Sequence, residues 1–564
     1  MAFQLSPGVN VSEVDLTTAI PSVSTTVGAF AGDFQWGPAN EIVTISNEVQ
    51  LVERFGKPDS NTFTSFFTAS NFLQYSNDLR VVRSIGSGAF NATTTGTGVL
   101  IENTSDYEDN HSSGSGSNVF GAKYPGLLGN SLKVSICDSN TTLLATWEYA
   151  DEFDSNPTTS EYLIRNNSNA GLANDEMHIV VLDTTGRISG TANTILEKFS
   201  FVSKASDAKT DDGSSNYYKD VINNRSKYIW WLSHPSEGTN WGRIAGDNLV
   251  YTKVASTDYT LSGGVTAAPS AANRNTAYDL FNNPDTVDIS FILAGETSGS
   301  STITALEAIA ESRKDCIVFI SPQRSDVVDN SGSETTALQT FRQTTLSSLS
   351  SSYMVCDSAW KYQFDKYNDV YRYVPLNGDI AGLCARTDLQ RDPWFSPAGI
   401  NRGQIKNVIK LSWNPTTSQR DTLYKNGINP VVTFPGEGTI LYGDKTFLTK
   451  PSAFDRINVR RLFIVLEKAV ARAARSSLFE FNDDFTRAQF VNLVEPFLRD
   501  VQGRRGIYDF RVVCDTTNNT AEVIDTNRFV GDIYIKPARS INFIQLNFVA
   551  TRTGVSFDEI VGRF

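Results

Sequence analysis

The chain has 564 residues, of which 49 are Lys or Arg and 62 are Asp or Glu, giving a formal net charge of −13 and a hydrophobic share of 40%. That length exceeds what one hydrophobic core fills, so about three or four domains are expected. The acidic balance argues against general nucleic-acid binding, because backbone phosphates need a cationic surface. The longest apolar stretches, residues 289–294 and 462–466, fall far short of the roughly 20 residues a membrane helix needs. Residues 1–8 carry neither a basic region nor an apolar run of signal-peptide length, so no secretory export and no membrane insertion are expected.

Residues 1–21 place Val9, Val11, Val14, Leu16 and Ile20 among mainly polar neighbours, bracketed by Pro7 and Pro21. This suits an extended arm better than a helix. The arm is either a strand of the chain's own sheet or a strand lent to a neighbour by β-augmentation.

Residues 27–34 predict a small-residue strand. A Ser or Asn cap, acids near the first turn and a terminal Gly56 make 46–56 a short helix. Helical period continues over 64–75 with Phe66, Phe67, Ala69, Phe72 and Leu73, and 80–85 returns as a strand. Residues 22–90 therefore read as the first part of an α/β domain. Gly, Ser, Thr and Asn dominate 86–118, which cannot bury enough apolar surface to be a core element and marks a boundary. Short strands at 132–137, 143–149 and 177–183 make 91–190 a β-rich inserted domain. A second insert, 191–274, contains the aromatic strand 228–232. Its Trp230 and Trp231 raise the possibility of carbohydrate stacking, but adjacent strand residues face opposite sides, so at least one is expected to pack internally.

Apolar strand 288–295, amphipathic helix 303–313 and apolar strand 316–322 form a βαβ signature with right-handed crossover. Helix 336–349 and strand 353–357 continue the winding. Residues 275–390 thus supply the second part of a doubly wound α/β domain, completed by 22–90.

Such a sheet invites a nucleotide at its carboxyl edge. The exit of its strand at 288–295, Gly295-Glu296-Thr297-Ser298-Gly299, has neither GxGxxG nor the Walker arrangement. Residues 438–446 come nearest to a phosphate-binding loop, but 439–442 reads as a strand, so a hairpin is expected there. There is no GxSxG nucleophile elbow. The paired acids Asp211-Asp212 and Asp483-Asp484 fall in polar turns. His111, His178 and His234 are far apart, and Cys137, Cys316, Cys356, Cys384 and Cys514 show no CxxC spacing and read as buried thiols of a reducing compartment. No enzyme activity, cofactor or metal is expected.

A family resemblance rests on an ordered series of motifs: Tyr124-Pro125-Gly126 followed by Gly129-Asn130 and Leu132; Leu261-Ser262-Gly263-Gly264; Pro393-Trp394-Phe395-Ser396-Pro397-Ala398-Gly399; Asn401-Arg402-Gly403; Gly427-Ile428-Asn429-Pro430; and Ile457-Asn458-Val459-Arg460-Arg461. The chain resembles contractile phage tail sheath proteins of the T4-like myovirus type over nearly its whole length. The resemblance implies a structural subunit that forms homo-hexameric rings stacked helically around a tail tube and contracts to drive that tube through a bacterial envelope. It implies partners in other copies of the chain, the tube protein, and baseplate and terminator proteins, with no direct nucleic-acid contact. It also implies a place in the virion tail after assembly in the host cytoplasm. The implied architecture is α/β and α+β multidomain: arm 1–21, doubly wound middle domain, β-rich outer inserts, and a C-terminal inner assembly domain over 391–564 with a sheet, helices and a terminal strand.

Inter-subunit strand pairing would then fall on Val9, Val11, Val14 and Leu16 and on Phe543, Ile544, Leu546 and Phe548. Independently, 541–551 exposes sizeable apolar groups unless both faces find partners, although an ordinary internal strand would read the same way. The helix over 456–477 turns Leu462, Val465, Leu466, Ala469 and Ala473 to a core. Its cations Arg461, Lys468, Arg472 and Arg475 are the expected tube contact, a solvated charged face being the default reading. Rival readings are a sheath from a phage-like bacterial weapon and, from another class, a surface carbohydrate-binding or glycan-degrading protein.

Overall fold

The computed structural model describes residues 24–114, 116–139, 146–166, 173–246, 249–255, 257–297, 299–542 and 545. They fall into two compact units that divide between Leu478 and Phe479.

The first unit opens with the fully buried strand β1 (Gly28–Gly32), then β2 (Ile42–Ile45), α1 (Glu48–Phe55), α2 (Phe63–Leu73) and β3 (Leu79–Arg83). α1 begins where the Asn47 side chain accepts the Gln50 N–H and ends at Gly56, which together satisfy backbone groups the helix ends leave open. α2 buries Phe66, Phe67 and Phe72 against the sheet.

Beyond β3 the chain enters an insert containing β4 (Phe120–Ala122), β5 (Leu132–Asp138), β6 (Glu176–Asp183), β7 (Thr194–Ser203), α3 (Tyr218–Arg225), β8 (Ile229–Trp231) and β9 (Thr257–Thr260). Its antiparallel sheet runs β7-β6-β5-β9, and β4 pairs with β8. The strand expected over 143–149 does not form across its described residues, 146–149, which are irregular and turn-like. Burial anchors them instead: Trp147 and Tyr149 pack on Cys137, Val180 and Leu182, and the indole N–H of Trp147 donates to Ser135 Oγ at 2.9 Å. The insert leaves and rejoins the body through a neck, where the Gly86 N–H donates to Ala267 O at 3.0 Å and the Phe90 N–H to Val265 O at 3.1 Å. Near that neck Gly263 adopts φ +78°, and a Cβ there would lie 2.2 Å from the Gly96 carbonyl oxygen.

The returning chain forms α4 (Ala271–Asp279), β10 (Phe291–Leu293), α5 (Ser301–Arg313), β11 (Ile317–Ile320), β12 (Met354–Asp357), β13 (Trp360–Asp365), β14 (Val370–Pro375), α6 (Asn377–Gln390), β15 (Lys410–Leu411), β16 (Ile428–Asn429), β17 (Val431–Phe434), β18 (Gly438–Leu441) and α7 (Ile457–Ala474). The main sheet is β16-β12-β11-β10-β1-β3-β2, parallel throughout except at the β2–β3 edge. The chain winds from β1 to β3 on one side and from β10 to β12 on the other, as the doubly wound reading requires. The helix expected over 336–349 is shorter, Glu334–Thr340, and widens at Phe341–Thr345. There the buried Arg342 donates to the carbonyls of Leu346 and Leu349, which gives the backbone an alternative to further helical bonds.

β16 lies beyond residue 391 yet pairs with β12, so this part of the C-terminal region folds onto the α/β body. The hairpin expected over 438–446 lies earlier in the chain: β17 pairs with β18 over 431–441, and the strand expected at 439–442 is its second arm. The neighbouring Lys445 Nζ donates to Tyr424 O at 2.8 Å, an internal contact rather than a phosphate cradle.

The second unit has α8 (Asp484–Gly503) and the hairpin β19 (Ile507–Val513) with β20 (Asp532–Pro537). Asp483 caps α8 by accepting the Thr486 N–H at 2.8 Å, and Phe490, Val494, Leu498 and Val501 form its buried stripe.

Candidate assembly surfaces

Two of the three histidines and all five cysteines sit in structural settings. His178 lies between Phe153 and Phe201, with its Nε2 2.9 Å from Ser155 O. His234 sits 2.6 Å from the Tyr218 hydroxyl, and burial pushes its pKa down to about 4. All five cysteines are free and buried. Among the described residues no group of three or more His, Cys, Asp and Glu is placed to hold a metal ion. Asp211 and Asp212 are exposed, and Asp483 and Asp484 serve the start of α8.

Trp230 and Trp231 face opposite sides of β8 and join different cores. Trp230 stacks on Tyr107 at 4.1 Å between centroids, with Lys123 Nζ 3.3 Å from its ring. Trp231 donates to the Tyr218 hydroxyl at 2.8 Å. Both indoles are at most 3% exposed, so neither is available to stack on a sugar.

α7 buries Leu462, Leu466, Ala469 and Ala473, while Val465 is half-buried. Its cations differ from the expected continuous basic face. Arg461 points inward and pairs with Asp388 on α6, while its second nitrogen lies 3.3 Å from Cys384 O. Burial is the largest influence and works against the Arg461 charge, but Asp388 and Cys384 together outweigh it and raise the guanidinium's pKa. Lys468 pairs with Asp288 and also faces Asp315 at 3.8 Å. Arg472 reaches Asp288 at 3.5 Å and Arg475 reaches Asp285 at 3.3 Å. The four cations thus meet acids supplied by α6, by the segment before β10 and by the turn after α5, which helical spacing alone could not reveal. Only Arg472 and Arg475 keep substantial exposure, 41% and 72% of the side chain.

The strand-pairing positions Val9, Val11, Val14, Leu16, Phe543, Ile544, Leu546 and Phe548 lie outside the described residues. Among the described residues β19 and β20 pair only with each other. Tyr508 and Tyr534 project from this hairpin at 68% and 60% exposure. Sequence reading missed a second surface in the same unit, where Phe479, Phe481 and Phe485 are all exposed. The signal was present in Leu478-Phe479-Glu480-Phe481, an apolar-acid alternation just before a helix cap.

These features define an assembly module. The profile of the phage tail sheath protein central domain matches residues 281–447, that of the phage tail sheath C-terminal domain residues 449–551, and that of the tail sheath protein Gp18 domain III N-terminal region residues 25–83. The tail sheath protein of Vibrio phage KVP40 is 35% identical over 99% of this chain and 100% of the relative. That of Enterobacteria phage T4 is 35% identical over 99% of each. The chain belongs to the phage tail sheath protein family. Its fold is that of the sheath tail protein from Listeria innocua, at a TM-score of 0.53 and 12% identity over 92% of this chain and 96% of that one. A similar match is the sheath tail protein from Desulfitobacterium hafniense, at a TM-score of 0.52 and 12% identity over 90% and 94%.

Proposed function

We propose that the chain is a contractile tail sheath subunit that polymerises as stacked hexameric rings around a tail tube and shortens to drive the tube through a bacterial envelope during genome delivery. Full-length similarity to two tail sheath proteins carries this reading. The arm 1–21 and the terminal strand around 541–551 link subunits by pairing with the β19–β20 hairpin of neighbours, whose edges are unpaired among the described residues. Head-to-tail contacts give a ring where the rotation closes and a helix where it does not, so a stack of rings needs both kinds.

Arg472 and Arg475 are the members of the basic set left for the tube, whereas Arg461 and Lys468 hold α7 in place. The inserted domains lie outside, and the remaining partners are baseplate and terminator proteins. No nucleotide drives the shortening, because repacking between two discrete lattices supplies the free energy. The subunit has no enzymatic role, assembles in the host cytoplasm and ends in the virion tail.

Negative-stain electron microscopy of the purified chain beside a version lacking residues 1–20 tests the reading. Tubes or stacked rings from the intact chain, lost without the arm, are expected. Dispersed particles from both, across salt and protein concentrations, would overturn it.

A further inference from the structure

A cavity of about 910 Å³ opens where the α/β body, the neck and the insert meet. It is bordered by the residues that follow four neighbouring parallel strands: Asp33 after β1, Ser84 after β3, Glu296 after β10 and Arg324 after β11. This is the carboxyl edge of a doubly wound sheet at the point where its strand order reverses, the place where such sheets open a crevice. The size lies within the range of small-molecule clefts, about 300–1,000 Å³.

The lining is cationic in an acidic protein, with five arginines against three carboxylates. Two of the arginines are committed elsewhere. Arg83 is buried and donates to Phe34, Gly37, Gln35 and Pro125 carbonyls, and Arg372 pairs with Asp365. Arg274 lies 3.6 Å from Asp33 and donates to Glu296 O at 2.7 Å, which leaves its buried Nε without a partner. Arg187, from the β6–β7 turn of the insert, and Arg324, from the body, are exposed, and neither has an acidic partner among the described residues. Ser84 is 1% exposed and its Oγ has no hydrogen-bond partner. Buried hydroxyls are normally satisfied, so an orphan beside a cationic cavity marks a donor awaiting an acceptor.

We infer that this cavity binds a small phosphate-bearing polyanion, held by Arg187 from the insert and by Arg274 and Arg324 from the body, with the Ser84 hydroxyl as a further donor. Guanidinium forks suit phosphate oxygens, which accept from several of them at once. No glycine-rich turn opens a helix here, so the grip comes from side chains and follows the ligand's charge rather than its base. Because the arginines come from both sides of the neck, the bound polyanion ties the insert to the body. The site does not depend on the sheath reading.

Titration calorimetry and thermal melting of the full-length chain at fixed ionic strength, with pyrophosphate and separately with ATP, test the inference per subunit. Saturable binding of both ligands is expected, with a rise in melting temperature. Arg187→Gln combined with Arg324→Gln should weaken binding by about tenfold or more, while leaving the unliganded melting temperature unchanged, since both side chains are exposed and make no ion pair among the described residues. Ser84→Ala should weaken binding by a smaller factor. Absence of saturable heat up to millimolar ligand would overturn the inference, as would equal affinity in the double variant, which would show that the charges are gathered elsewhere.

Discussion

Arg461 on α7 and Asp388 on α6 form an ion pair whose side chains are 4% and 3% exposed. Removing one member strands the other charge in a dry site, which typically costs about 3–5 kcal/mol. Arg461→Ala is therefore expected to lower the stability of an armless, soluble chain by that order in urea unfolding. Arg472→Gln with Arg475→Gln should stay within about 0.5 kcal/mol of the parent and instead weaken salt-sensitive attachment to tube protein in a co-sedimentation assay.

Asp357, at the end of β12, accepts a hydrogen bond from Ser321 at 2.6 Å and is fully buried. Burial pushes its carboxyl up to about 8, with the Ser321 bond working the other way. The folded chain then keeps a proton that the unfolded chain releases. This group's contribution to stability therefore declines as pH rises from 3.8 to about 8 and is constant above that. Asp357→Asn, which mimics the protonated acid, should flatten that part of the pH dependence in parallel denaturation series; identical slopes in parent and variant would rule out a raised carboxyl here.

Gly263 combines a left-handed backbone with a carbonyl 2.2 Å from its missing Cβ. Gly263→Ala must move the 93–98 turn or the neck strand. A loss of more than about 1 kcal/mol is expected, beyond the cost of the left-handed conformation alone. Proteolysis should reveal it first as faster cutting near residues 86–98 and 262–268, with the α/β body still protected.

Tyr508→Asp with Tyr534→Asp alters side chains that project from the β19–β20 hairpin. Native circular dichroism with shortened or absent tubes is the expected phenotype, because exposed aromatic surface of this kind anchors contacts between copies. Wild-type tube length in the double variant would assign the hairpin to some other role.

Much of the body was legible because its signals are local. Asn47 and Gly56 bracket α1, and uninterrupted apolar runs mark β10, β11 and β12. The strand β18 was legible for the same reason, although its hairpin partner precedes it rather than follows it. What failed depended on partners distant in sequence. Trp147 looked like part of a strand but is held by Ser135 and Cys137. The charges of α7 looked like one exposed face until Asp285, Asp288 and Asp388 arrived beside them. The polyanion cavity left no motif at all, since Ser84, Arg187, Arg274 and Arg324 come from four separate segments.

The central pairing of the main sheet joins Gly28 of β1 to Phe291 of β10, with the whole insert between them. During synthesis, the buried faces of β1 and α2 are made long before the strands that cover them. Closing so long a loop is slow, and the waiting segment carries Phe30, Phe66 and Phe72, which only the finished fold buries. An insert that folds early on its own core brings Gly86 and Ala267 together and shortens the effective loop. Such an insert would act as a clasp for the body's maturation, and its removal is expected to show first as insoluble protein rather than as a defective lattice.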